Sequence, residues 1–78
     1  MRKTIFRNEA VCPITLWVFS VVMTGHIDGG ATVEVTNETK GTTYPERECA
    51  DLDDALTYGN TVAANIRRRK AKFWEVDS

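Results

Sequence analysis

Residues Pro13 to Gly25 read PITLWVFSVVMTG, the most apolar stretch of the chain. Three readings compete for it: a secretory signal, a membrane span, or a strand of a packed sheet. Met1, Arg2, Lys3 and Arg7 supply the basic start of a signal, and the apolar run from Ala10 to Gly25 has a comparable length. Against that, Glu9 stands at the head of the run, and Pro13 and Ser20 interrupt it. A membrane helix needs about 20 apolar residues, more than this run holds. As a strand the stretch is coherent. Trp17, Phe19, Val21 and Met23 share one face, large and apolar, while Leu16, Val18, Ser20, Val22 and Thr24 share the other. The sequence therefore predicts a sheet strand, in a protein of the cytoplasm with no membrane association.

Working outward, Gly25-His26-Ile27-Asp28-Gly29-Gly30 supplies the glycines that a hairpin turn requires. Ala31 to Thr36 alternates again, with Ala31, Val33 and Val35 on one side. Asn37 to Gly41 forms a second turn. Thr42 to Glu48 then reads as an edge strand, because Pro45 cannot donate to an inner ladder and Glu46, Arg47 and Glu48 discourage pairing. From Asp51 the period becomes helical: Leu52, Ala55, Leu56, Gly59, Val62, Ala63 and Ile66 fall on one stripe. Asp51 is the expected N-cap, Asp53 and Asp54 sit in the first turn, and Arg67 to Lys70 fill the last. Gly59 lies on the stripe and predicts a close approach of helix to sheet. Lys3–Arg7 offers a short extra strand, and Phe73-Trp74-Glu75-Val76 a strand or tail that closes the core.

The predicted fold is α+β: residues 1–78 form a single domain, a three-stranded antiparallel meander with one C-terminal helix on its bulky face. A chain of 78 residues buries little more than about 60 % of its unfolded surface, so the core is small. The opposite face keeps Leu16, Val18 and Val22, which one helix cannot also cover. Either the N-terminal arm or a second copy in a homodimer is expected to shield them.

No catalytic set emerges, and the expectation is a non-enzyme with no catalytic, cofactor-binding or metal-ligating residues. His26 is the only histidine and reads as an exposed turn residue. Cys12 and Cys49 are too few for a disulfide framework and do not match a zinc spacing; they are expected as reduced thiols. The glycines fit no phosphate loop. Asp51, Asp53 and Asp54 fit a helix dipole better than a metal cluster.

Charge is more informative. Net charge is −1, yet residues 28 to 54 hold eight acids against two bases, a net of six negative charges. Residues 67 to 72 hold five bases and no acid. Glu46, Glu48, Asp51, Asp53 and Asp54 are the candidate partner-binding residues. Arg67, Arg68, Arg69, Lys70 and Lys72, with Phe73 and Trp74 as stacking groups, define an alternative nucleic-acid site. A small phage or bacterial accessory protein is a third reading.

The β-β-β-α order is similar to that of double-stranded RNA-binding domains. That family has a lysine-rich helix start where this chain has Asp51-Leu52-Asp53-Asp54, which repels phosphate. In size, strand and helix content, and acidic surface, the whole chain resembles the small phage-borne anti-CRISPR proteins, a likeness of style rather than of motif. The resemblance implies a stoichiometric inhibitor with a protein partner, a subunit of a CRISPR surveillance complex. Its acids would act as a DNA mimic, occupying basic sites that hold target DNA, with no direct nucleic-acid contact.

Overall fold

A computed structural model describes residues 4–69, 72 and 73 of the chain. The elements are β1 (Thr4–Val11), β2 (Val18–Gly25), β3 (Ala31–Asn37), β4 (Thr42–Thr43), β5 (Arg47–Cys49) and α1 (Leu52–Arg67). The sheet is antiparallel in the order β1-β2-β3, and β4 and β5 share the outer edge of β3. The helix packs across one face, giving the expected α+β fold.

The alternation read from the sequence sets the two faces. Phe19, Val21 and Met23 of β2 and Ala31, Val33 and Val35 of β3 are buried against Ala55, Val62, Ala63 and Ile66 of the helix. Gly59 is buried on the helix stripe, and a β-carbon there would lie 2.6 Å from Met23 Cγ. The helix thus approaches the sheet as closely as its missing side chain permits. Asp51 caps the helix, its side chain accepting a hydrogen bond from the Asp54 N–H at 2.9 Å. After the helix, Phe73 closes the core edge-on against Phe19 and Tyr44, with ring centroids 5.1 and 5.2 Å apart. The amide of buried Asn65 fixes this return by donating to the Phe73 carbonyl at 3.2 Å. Trp74 to Val76 lie outside the described residues.

The apolar run is not one strand. It is divided by a loop after Cys12, and β2 begins at Val18. The loop closes where the Cys12 N–H donates to the Trp17 carbonyl and the Leu16 N–H donates to the Cys12 carbonyl, at 3.0 and 2.8 Å. The turn from Asn37 to Thr42 is built alike: the Gly41 N–H donates to the Asn37 carbonyl at 2.7 Å. Both end on a left-handed residue, Gly41 at φ 71° and Leu16 at φ 62°. Leu16 is therefore a loop residue, 70 % exposed, and not part of the apolar strip on β2. Trp17 is half-buried against the core from the same loop.

The N-terminal arm is a full strand of eight residues rather than a short addition. It extends the sheet beside β2 and so does not shield the open face. That face carries Ile5, Arg7, Glu9 and Val11 of β1 beside Val18, Ser20, Val22 and Thr24 of β2, and Thr32, Glu34 and Thr36 of β3. Arg7 reaches over its centre, donating to Ser20 Oγ at 2.8 Å and lying 3.6 Å from Glu9 and 3.9 Å from Glu38. The opposite edge holds the expected segment, but the single strand read over Thr42 to Glu48 is two, β4 and β5, which flank Pro45 because proline cannot donate to the ladder.

Candidate interaction surface

Two contacts decide which end of the molecule each charge occupies. A β-carbon on Gly25 would sit 3.3 Å from the Leu52 side chain. Cys49 pairs with Ala31, which pairs with Gly25. The β2–β3 loop, β5 and the helix N-terminus therefore meet at one end. Asp28, Glu48, Asp51, Asp53 and Asp54 are all exposed there. Asp28 accepts a hydrogen bond from the Gly30 N–H at 3.0 Å, which holds it at the turn. Glu46 is exposed in the break between β4 and β5.

The five predicted acids do not share one face. Asp51, Asp53 and Asp54 belong to the helix start, on the helix side. Glu48 is opposite Thr32, and so points to the open face of the sheet. Arg47, between the glutamates, is opposite Val33 and turns to the helix side, where its guanidinium lies 4.3 Å from the Tyr58 ring centre. Strand alternation thus removes the one base from beside Glu48. It also adds Glu34, exposed two residues along β3 from Thr32 on the same face. Glu34 was legible as a surface acid from its place between Val33 and Val35, but the turn that gathers Asp28 with the helix start was not.

The basic end is partly structural. Arg67 donates from Nη2 to the Glu9 carbonyl at 2.6 Å and to Asn8 Oδ1 at 3.0 Å. Asn8 in turn donates to Asn60 Oδ1 at 3.2 Å, so Arg67 is a strut between helix and β1. Arg68 is the C-cap, its N–H donating to the Ala64 carbonyl, and Arg69 follows at φ 65°. Phe73 is 7 % exposed in the core, which removes it as a stacking group for bases. Lys70 and Trp74 lie outside the described residues.

His26 is half-buried rather than exposed, with Nε2 3.2 Å from Thr32 Oγ1. Both cysteines are free and half-buried. Cys12 follows β1 at one edge of the sheet and Cys49 is in β5 at the other. Three strand spacings, about 14 Å, separate them across the sheet, and Cys12 is level with Trp17 while Cys49 is level with Gly25, about 26 Å further along it, so they lie far beyond the reach of a disulfide. Hydrogen bonds from the Thr15 hydroxyl and the backbone N–H groups of Thr15 and Ile14 push the Cys12 thiol below its ordinary pKa. Burial pushes Cys49 up. A cavity of about 270 Å³ lies beside Cys12, lined mostly by Ile14, Trp17, Phe19, Ile66 and Phe73. Among the described residues, no group of three or more His, Cys, Asp or Glu side chains is placed to hold a metal ion. No described helix is long and apolar enough to cross a membrane. No protein-family model matches the chain, and no curated protein or solved structure matches it.

Proposed function

We propose that this chain is a non-enzymatic interaction protein that inhibits a DNA-binding partner by presenting its acidic end to basic sites on that partner. The observation that carries the reading is the gathering of exposed Asp28, Glu48, Asp51, Asp53 and Asp54 where the β2–β3 loop, β5 and the helix start meet. Resemblance to the anti-CRISPR proteins makes a CRISPR surveillance complex the partner, and competition with target DNA the mode of inhibition. The nucleic-acid alternative is weaker because Phe73 is in the core and Arg67 is tied to β1.

The test is titration of purified surveillance complexes with the protein, reading target-DNA binding. Asp51 is left intact because it caps the helix. Glu48→Lys, Asp53→Lys and Asp54→Lys together should abolish inhibition, since desolvated charge pairs carry coupling energies of about 1.5–7 kcal/mol. The two helix-start reversals cost about 0.3–1 kcal/mol each in dipole stabilisation, so circular dichroism must show a folded chain. Arg68→Glu with Arg69→Glu should leave inhibition intact. Inhibition that survives the acid reversals, or that is lost with the basic ones, overturns the proposal.

A further inference from the structure

The outer edge of β1 has a pattern that neither the acidic end nor the helix explains. Three hydrogen bonds fix the direction of its backbone groups. The Cys12 N–H donates to the Trp17 carbonyl, so this pair continues the β1–β2 ladder as a hydrogen-bonded pair. The Glu38 N–H donates to the Val18 carbonyl, so Val18, Ser20, Val22 and Thr24 direct their backbone groups toward β3. In an antiparallel ladder these positions alternate. Thr4, Phe6, Asn8 and Ala10 therefore bond to β2, while Ile5, Arg7, Glu9 and Val11 turn their N–H and C=O groups outward. The Arg67 contact on the Glu9 carbonyl, 2.6 Å from outside the ladder, agrees.

The four outward residues read apolar, base, acid, apolar. Reversed about Asn8, that order is its own complement: Ile5 meets Val11, and Arg7 meets Glu9. We propose that β1 pairs antiparallel with β1 of a second copy, across a two-fold axis at Asn8, so that two sheets become one. Each outward residue then joins a hydrogen-bonded pair, and the seam carries about eight backbone bonds. Charge selects the register. A shift of two residues places Arg7 against its own copy, or Glu9 against its own copy. Pairing also covers exposed apolar surface on both faces: Ile5, 63 % exposed, and Val11, 46 %, on the open face, and Phe6, 44 %, on the helix face opposite Met23. The register sets Phe6 over Ala10 of the second copy.

The two sheet edges differ as this pairing requires. The β4–β5 edge is short and broken at Pro45, a device that prevents association. β1 has eight continuous residues without proline. Its guard is the Arg67 guanidinium, a long exposed side chain at the seam. On pairing, the Glu9 carbonyl exchanges that guanidinium for the Arg7 N–H of the second copy. This proposal is independent of the inhibitory role, since it uses the opposite edge from β5, which carries Glu48.

The experiment is sedimentation equilibrium on the full chain over a wide concentration range. The protein should pass from 8.8 kDa to twice that mass. Arg7→Glu alone and Glu9→Arg alone should each weaken the dimer by roughly tenfold or more, because every central pair becomes like-charged. Mixing the two variants should restore a one-to-one dimer, since each supplies the charge that the other lost. Recovery on mixing cannot arise from misfolded chains, so it guards against a stability artefact. In the dimer, the amide protons of Ile5, Arg7, Glu9 and Val11 should gain protection from exchange as concentration rises. A monomer at every concentration, a dimer indifferent to both substitutions, failure of the mixture to recover, or a dimer in which those four amides stay unprotected each overturns the pairing.

Discussion

Gly59→Ala sets two opposing effects against each other at one atom. A glycine inside a helix costs about 1 kcal/mol relative to alanine, so propensity alone predicts a more stable protein. The site answers otherwise. The new β-carbon would collide with the Met23 sulfur, lie 2.6 Å from Met23 Cγ and sit 3.3 Å from Val21 Cγ1. Carbon atoms prefer roughly 3.5–4.0 Å, so Met23 must retreat by about 1 Å. A thioether chain is adaptable, but Met23 is 2 % exposed and Val21 is fully buried, so the space it would move into is filled. Overpacking of this kind costs about 1–3 kcal/mol, and the upper half of that range fits a fully enclosed neighbour. The net effect is a loss of about 1–2 kcal/mol. For a domain of this size that is a fall of roughly 4–16 °C in melting temperature. Circular dichroism melts of Gly59→Ala, Met23→Ala and the double variant would measure it, with sucrose added to keep the variants folded. In the Met23→Ala background, Gly59→Ala should become neutral or stabilising, because the colliding atoms are gone. A single Gly59→Ala variant that melts higher than the parent would refute the close approach.

Leu16→Gly should be neutral or stabilising by up to about 1.6 kcal/mol: releasing a left-handed leucine gains about 1–2 kcal/mol, while the freer unfolded chain gives back about 0.4–1. Because Leu16 is 70 % exposed, little packing is lost, and a clear drop in melting temperature would contradict the loop geometry. Phe19→Ala should cost about 3–5 kcal/mol, since the ring is 4 % exposed and supports Phe73; an unchanged melt would mean that the wrong face is buried. The thiols should separate by alkylation rate near neutral pH. Cys12, with its pKa lowered by the Thr15 and Ile14 hydrogen bonds, holds more thiolate than Cys49, whose pKa is raised by burial. Iodoacetamide labelling followed by mass spectrometry should find Cys12 modified first, and equal rates would count against that ordering.

The sequence alone determined the elements whose signals are local. Alternation from Trp17 to Met23 and from Ala31 to Val35 named the buried face, because side chains in a strand change sides at every residue. The helical stripe, the Asp51 cap and the Pro45 edge were likewise legible, since each depends on residues close along the chain. The loop at Pro13 to Leu16 was hidden because its left-handed position holds leucine, where the matching turn at Gly41 advertises itself with glycine. An apolar residue in an apolar run gives no sign that the chain reverses there. The length of β1 was hidden for a different reason. Thr4 to Val11 has little burial pattern of its own, with Ala10 buried and most of the rest exposed, and it is a strand because β2 offers it a ladder. Only the tertiary structure decided how the charges divide. Pairing of β5 with β3 sends Glu48 to the open face and Arg47 to Tyr58, and the meeting of Gly25 with Leu52 brings Asp28 to the helix start. Those positions depend on contacts between residues far apart in the chain, which no local pattern encodes.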